Sequence, residues 1–424
     1  MALLLAVVAM SMVFAGGKKD AGTSDKVTIS FWHIGTVGAD REHFDKCVAE
    51  YEAAHPNVKI EVTVMENEAF KSKLATVMQS KNPPDLFWGW GGGSLAEHAA
   101  AGLLKDIGAD VKANKDLNSI ASGALSLFQY NGVQYGVPHD LGAITFWYNK
   151  DLLASVGYNS FPTDWDDFIV MCNKLKAAGI TPISLAAGDK WPAMHFFSYL
   201  AMRIGGSEVF SGFTAEGAMP AGFKGFNDPA FIKAGEMIKE LADIGMFQNG
   251  FLGATQNDGA ALVGNGQAAM ELMGHWAPGV QNDQSTTGKG IGSALAAAPF
   301  PAIKGGKGKV TEVIGGGNGM EVGKNASKEA VEFLAFLNSK ENLGSFASVS
   351  SIIPTVAGTE AYMTDENLKL VKGIVGECTY YQLYLDQLLS PAVGAAVNDT
   401  VQEILAGTKT PAQACADLQA VYEQ

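Results

Sequence analysis

The sequence predicts an α/β protein built on mostly parallel sheets flanked by helices. Three observations carry that reading. Short alternating apolar runs are each followed by apolar residues at helical spacing, and this unit recurs three times before residue 107. The 424 residues are 47% hydrophobic and 17% charged, enough for a large core and too apolar for a disordered chain. Loops rich in glycine and tryptophan fall where the apolar runs end, the place where open α/β sheets hold ligands.

The elements follow in order. In 27-VTISFWH-33, Val27, Ile29 and Phe31 alternate with Thr28, Ser30 and Trp32, a strand pattern. A helix is expected from about Asp40 to Ala54, with Phe44, Cys47, Val48 and Tyr51 on one face and Pro56 beyond its end. The run 58-VKIEVTV-64 alternates as a second strand, and 69-AFKSKLATVMQS-80 places Phe70, Leu74, Val77 and Met78 at helical spacing. The third unit is 83-PPDLFWGWGGGSLAEHAAAGLLKDI-107: a strand at Asp85–Trp88, then a helix opened by a Ser94-x-x-Glu97 capping box and stopped at Gly102. Further on, 142-GAITFWYN-149 reads as one strand. A helix over about Asp164–Ala178 is capped by Thr163 and closed by Gly179, and another spans about Asp228–Ile244 with Pro229 at its first position and Gly245 at its end. A short strand, 268-AAMELMG-274, ends at His275-Trp276. The chain then passes through 313-VIGGGNGMEV-322 into a helix bearing Val331, Leu334 and Leu337. No internal repeat at solenoid periods is present.

Charge and termini narrow the function. A formal net charge of −14 argues against nucleic acid and anionic lipid, which select basic patches. Residues Ala2–Ala15 are apolar apart from Ser11, too short to span a bilayer, and Val13-Phe14-Ala15 suits a cleavage site. An export signal over 1–15, cut near Ala15-Gly16, is expected, with a flexible tether over 16–25. No lysine or arginine precedes the apolar run, and no cysteine follows it to carry a lipid anchor. Cys47, Cys172, Cys378 and Cys415 match no zinc spacing and allow three disulfide pairings; Cys47 and Cys172 fall on apolar helix faces, which favours buried thiols.

Two chemistries compete for the loop after the third strand. A dinucleotide fingerprint needs G-x-G-x-x-G and an acid at the end of the next strand. Here Gly89-x-Gly91 is followed by Ser94, and Asp106 stands at a helix end. No phosphate-binding P-loop, G-x-S-x-G, H-E-x-x-H or compact histidine–cysteine cluster is present. No catalytic residue, metal site or cofactor is therefore expected, although a pair among 44 acids could serve a glycosidase. The seven tryptophans favour a sugar. Trp165, in a helix's first turn, reads as structural, and Trp147 reads as core. Trp32, Trp88, Trp90, Trp191 and Trp276 lie near strand ends and loops. An indole offers a flat apolar face and one N–H donor, which suits the apolar C–H face and hydroxyl rim of a pyranose.

The stretches 83-PPDLFWGWGGGSLAEHAAAGLLKDI-107, 135-YGVPHDLGAITFWYNKDLL-153, 163-TDWDDF-168, 265-NGQAAMELMGHWAPG-279, 316-GGNGMEVGKNASKEAVEFLAFLNS-339 and 350-SSIIPT-355 together resemble the carbohydrate-binding proteins of bacterial ABC importers. That extracellular solute-binding family includes maltodextrin-binding protein, and the resemblance covers essentially all of the chain after the leader. It implies a two-lobed periplasmic-binding-protein fold of the class II type, with a multi-crossing hinge. Residues 26–140 and 313–350 would form one lobe, and 141–312 and 351–424 the other. It also implies a non-enzymatic periplasmic receptor that binds a short oligosaccharide and hands it to the permease subunits of an ABC importer; a monomer is expected, because one cleft per chain suffices. The GWGGG form resembles the branch that takes up short oligosaccharides. By the same resemblance, Trp88 and Trp90 are cleft aromatics, Trp191 and Trp276 stack on sugar, and His33, Thr36, Asp140, Gly317, Asn318 and Asp386 supply polar contacts. The glycines at 91–93 and 315–317 would bring backbone amides up to sugar hydroxyls. A receptor for a polyol or glycerol phosphate is the alternative, and an exported glycoside hydrolase the further one. Arg41 and Arg203, the only arginines, lie outside the matched motifs.

Overall fold

The computed structural model describes residues 26–424 apart from 216 and 218; the expected leader (1–15) and tether (16–25) lie outside the described residues. Two sheets anchor two bodies, and a third, smaller sheet runs between them. The first carries strand β1 (Val27–His33), helix α1 (Gly38–Ala54), β2 (Val58–Val64), α2 (Asn67–Gln79), β3 (Leu86–Gly89) and α3 (Gly92–Ala100). Its five strands run in the order β2, β1, β3, Gly319–Val322, Gly136–Pro138. β1 pairs in parallel with β2 from Val27↔Val58 to His33↔Val64, and with β3 at Phe31↔Leu86. Asp85 pins β3 to β1: its Oδ2 accepts from the Ser30 amide at 2.8 Å and the Ser30 hydroxyl at 2.7 Å.

The second sheet orders Leu295–Ala298, Thr145–Asn149, Ala268–Met273 and Thr181–Ser184. It is less parallel than expected. Ala268–Met273 is parallel to Thr181–Ser184, but Thr145–Asn149 runs antiparallel to both of its neighbours. The cause is its route: this strand comes straight out of the hinge without a crossover helix, and parallel entry needs one. Around this sheet Phe146, Phe168, Phe196, Phe197, Phe231 and Phe300 form an aromatic core.

The third sheet orders Tyr380–Leu383, Glu312–Gly316 and Gly142–Ala143. It explains why 142–149 is not one strand. Gly142 and Ala143 pair with Gly316 and Gly315, the Ile144 amide donates to the Ile314 carbonyl, and only then does the chain join the second sheet. A third segment crosses beside them, with Asp140 bridged to Pro354 and the Leu141 amide donating to the Ile353 carbonyl. After residue 350, Ile352, Ile353, Val356 and Met363 join the core that holds the first sheet, the helix Glu366–Gly376 packs against Gly142–Ala143 and Leu295–Ala298, and Val393, Val397, Val401 and Leu418 pack around the second sheet.

Two expected caps are displaced. α3 opens at Gly91, not Ser94, and no side chain caps it. Gly91 has φ +71°, and its missing side chain admits the Leu127 carbonyl: an added Cβ would lie 2.1 Å from that oxygen. The helix Trp165–Ala177 is capped by Asp164, whose Oδ1 accepts from the Asp167 amide at 3.0 Å, rather than by Thr163. All four cysteines are unpaired thiols, and Cys47, Cys172 and Cys415 are buried.

Candidate functional site

The two bodies enclose a cavity of about 380 Å³. That is within the usual range for small-molecule sites, roughly 300–1,000 Å³. The loops after β1 and β2 and the end of β3 supply one wall, including Thr36, Asp40, Glu66, Trp88 and Trp90. The opposite wall brings Trp191, His195, Trp276, Asp283, Tyr384 and Asp386, while Asp140 and Asn318 line the floor at the hinge.

Each indole is placed by its local sequence. Trp88 is the penultimate residue of β3 and is 5% exposed. Its ring meets Phe44 at 6.2 Å and His139 at 4.8 Å, both edge-on. Trp90, one residue past the strand, is half-buried, with Phe70 edge-on at 6.1 Å and the Lys71 ammonium 5.4 Å from the ring centroid. Trp191 opens the helix Trp191–Gly205 and is 9% exposed. The loop before it is tied down by Asp189, whose Oδ2 accepts from the Gln256 amide at 2.6 Å. Trp276 follows Ala268–Met273 and lies over Gly274, where an added Cβ would fall 2.3 Å from the indole. Trp191 and Trp276 meet at 6.2 Å, and Tyr384 meets Trp276 edge-on at 6.2 Å.

Several donors on these walls have no partner. The Nε1 atoms of Trp88 and Trp191 and the hydroxyl of Tyr384 are buried and make no hydrogen bond within the protein. A buried N–H or O–H without a partner costs free energy, of order 1–3 kcal/mol, and these three belong to residues that line the cavity. The core indole behaves differently: Trp147 is fully buried and donates to the Met273 carbonyl at 3.1 Å. Trp165 stacks between Phe168 and Phe300, also as expected of a structural residue. Trp32 does not line the cavity.

Not every expected contact faces the cavity. His33 is fully buried between Phe31 and Phe44 and lines no part of the cavity. Its Nδ1 accepts from the Gly35 amide at 3.2 Å, and burial, helped by Arg41, lowers its pKa to about 4. The strand alternation explains this, since His33 continues the buried side of Ile29 and Phe31. Gly317 also lies off the lining and packs against the Asp140 carbonyl, 2.7 Å from where a Cβ would be. The glycine runs serve backbone packing rather than the ligand. A Cβ on Gly92 or Gly93 would strike the carbonyls of Gln387 and Leu389, and one on Gly315 or Gly316 would strike the Gly142 carbonyl and the Tyr384 ring.

The cavity's acids differ in environment. Thr36 donates to Glu66 at 2.9 Å. Asp140 accepts from the Asn318 amide at 2.8 Å, the Asn318 side chain at 3.0 Å and His275 Nε2 at 3.0 Å. Burial alone would raise its pKa, but His275, His139 and the Asn318 amide hold it below the ordinary value. Asp140 is thus a hinge clamp with its lone pairs largely used. Burial pushes Asp40 up to about 6 against one hydrogen bond from Ser350, and burial also raises Asp283 and Asp386. Asp386 accepts from Asn398 at 3.0 Å. Among the described residues no group of three or more His, Cys, Asp or Glu gathers to hold a metal ion.

Sequence reasoning missed Asp40, Glu66, Asp283, His195 and Tyr384. Asp40 and Glu66 follow the carboxyl ends of the first two strands, so the strand-end rule could have found them. Tyr384 lies two residues from Asp386, and its role depends on the hinge sheet, which periodicity does not reveal.

Comparison with known proteins follows from this geometry. The family model for bacterial extracellular solute-binding protein matches residues 38–343, and the chain belongs to that family. An uncharacterized ABC transporter extracellular-binding protein of Pyrococcus horikoshii is 29% identical over 289 residues, 66% of this chain and 63% of that one. A multiple sugar-binding protein of Streptococcus mutans is 25% identical over 291 residues, 65% of this chain and 64% of that one. The chain thus spans somewhat less than two thirds of these relatives. The solved structure of a chitin oligosaccharide binding protein superposes with a TM-score of 0.84 at 27% identity, covering 94% of this chain and 99% of that one. The two-lobed α/β fold is shared. Among the described residues no helix is long and apolar enough to cross a membrane.

Proposed function

We propose that this member of the extracellular solute-binding family is the receptor of an ABC importer, taking up a short oligosaccharide between its lobes. The observation that carries the reading is the pairing of indoles from both walls, Trp88 and Trp90 against Trp191 and Trp276, around one cavity. The names of two relatives, a multiple sugar-binding protein and a chitin oligosaccharide binding protein, support a sugar ligand. Stacking supplies apolar contact with the pyranose faces, and the unpartnered Trp88, Trp191 and Tyr384 groups donate to ring or hydroxyl oxygens. Asn318 and Asp386 stand where hydroxyls reach them.

The lobes of this reading are 26–140 with 313–350, and 141–312 with 351–424, closing about the hinge strands over bound sugar. The protein works outside the cytoplasm as a monomer without catalysis and presents its outer lobe surfaces to permease subunits. A phosphate-bearing ligand is disfavoured: among the described lining residues Lys71 is the one lysine or arginine, and it is already paired with Glu68 at 3.1 Å. Tryptophan fluorescence and thermal shift with xylo-, chito-, galacto-, malto- and raffinose-type oligosaccharides test the reading. A saturable shift with a raised Tm for one class is expected, since a ligand that binds only the native state stabilises it. Recovery of the sugar intact separates a receptor from a glycoside hydrolase. Silence across the panel overturns the sugar reading.

A further inference from the structure

The geometry points to Asp40 and Asp283, facing each other across the cavity mouth, as a charge filter that admits uncharged or amino-bearing sugars and rejects uronates and sugar phosphates. This rests on the receptor reading above and adds what that reading leaves open, the charge class of the ligand.

Asp40 lies in the first turn of α1, whose Phe44, Cys47 and Tyr51 are buried in the core around the first sheet. Asp283 lies on the helix Ala277–Gln284, which is fixed to the second sheet by Gln281 donating to Glu271 at 2.7 Å. The two helices meet at the mouth. Gly38, with φ +61°, brings its backbone so close to Asp283 that an added Cβ would lie 2.3 Å from the Asp283 carboxylate. Both acids line the cavity, as do Glu66, Asp140 and Asp386.

The protein balances these charges only in part: His275 pairs with Asp140 at 3.0 Å, and Lys71 acts on Asp386 from a distance. Among the described residues no lysine or arginine forms an ion pair with Asp40, Asp140, Asp283 or Asp386. The Ser350 hydroxyl is the side-chain partner of Asp40, and among the described residues no hydrogen bond reaches the Asp283 carboxylate. Lys71 is committed to Glu68 and to the face of Trp90.

The acids alone would mark only a solvated rim. The second observation is a set of side chains lining the same cavity, Trp88, Trp191 and Tyr384, each more than nine-tenths buried and each with a neutral donor that has no partner in the protein. These donors want an acceptor, and the acids want donors. A sugar hydroxyl is both at once. An ammonium group satisfies the acids more strongly still, because a charged hydrogen bond is shorter and stronger than a neutral one. A carboxylate or phosphate would satisfy the donors but would be enclosed with like charges, where screening is weak. The protein's net charge of −14 adds to the same field.

The test uses the purified protein and matched probes of equal length: galacto- against galacturono-oligosaccharides, and N-acetylated against deacetylated chito-oligosaccharides, by calorimetry at low and high salt. In whichever series binds, the expected result is at least tenfold weaker binding of the acidic member and binding of the amino member at least as tight as its neutral partner, with the gap narrowing in high salt. In Asp40→Asn/Asp283→Asn the acidic penalty should shrink at least threefold. Asp283→Asn alone, at the outer edge, guards against misfolding of the double variant, and a thermal melt checks both. An acidic probe that binds as tightly as its neutral partner overturns the filter and leaves the receptor reading intact. Failure of every sugar, charged or not, overturns the receptor reading and the filter with it.

Discussion

The hinge and the cavity wall are both buried and both polar, and they differ in how their acids are held: the hinge acid is ringed by donors, although His275 Nδ1 and His139 Nε2 beside it stay without a partner, while the wall acids are not. At the hinge, Asp140 gathers Asn318 and His275 in four hydrogen-bond contacts between 2.8 and 3.0 Å, joining the two crossings to the second sheet. On the wall, Trp88, Trp191 and Tyr384 carry donors that nothing in the protein accepts, and Asp40 carries a carboxyl held up near 6 by burial. A carboxylate whose oxygens are taken by protein donors acts as a strut, and one with few donors is free to take them from a ligand. Residue type does not separate the two. Asp140 and Asp40 are both acids lining one cavity, and Trp147 and Trp88 are both buried indoles.

The largest effect that sharpens this contrast is on stability. Asp140→Ala strips the hinge of its acceptor and leaves Asn318 and His275 unpaired. Urea unfolding should show a loss of about 3 kcal/mol or more, the usual cost of breaking a buried charged network. The next effect is on binding. Trp191→Ala should weaken sugar affinity at least tenfold, in line with about 1 kcal/mol or more for an aromatic contact. Trp88→Phe keeps an aromatic face but removes the unpartnered N–H together with part of the indole's area, so affinity should fall several-fold while the stability loss stays smaller than that of Asp140→Ala. A stability loss equal to that of Asp140→Ala would merge wall and hinge into one structural class.

The pH prediction is smaller and has a defined sign. Asp40 is raised from 3.8 to about 6, so the folded protein holds this proton more tightly than an unfolded chain does. Its contribution to stability is complete below about pH 4 and is lost as pH rises through about 6. Asp40→Asn should therefore melt higher than the parent at pH 8, with the gain gone at pH 4. Comparing variant with parent at each pH cancels the opposite contributions of His33, His43 and His195, which burial lowers. The smallest effect belongs to Thr36→Val. It removes one exposed hydrogen bond, to Glu66, and should change affinity by about threefold or less.

Much of this was legible in the sequence, for identifiable reasons. β1 and β2 were found residue for residue because a two-residue period survives packing. The helix Pro229–Asp243 was found because Asp228, Pro229 and Gly245 mark both of its ends. α3 was misplaced by its start because a glycine turn beneath the Leu127 carbonyl overrode the Ser94 cap, a contact between distant residues. The strand at 142–149 divides because the hinge recruits its first two residues, and local patterning carries no trace of that. The indoles of the wall were picked from sequence, yet their value as ligand donors rests on what does not reach them in space. His33 is the instructive miss: its parity with Ile29 and Phe31 already placed it in the core.

The most direct test is calorimetric titration of the oligosaccharide series that shifts Tm into the parent, Trp88→Phe and Trp191→Ala. Saturable one-to-one binding by the parent, weakened in both variants while their folds persist, is the predicted result. Parent-like affinity in both variants would contradict the account, because the cavity's unpartnered indoles would then have no part in holding the ligand.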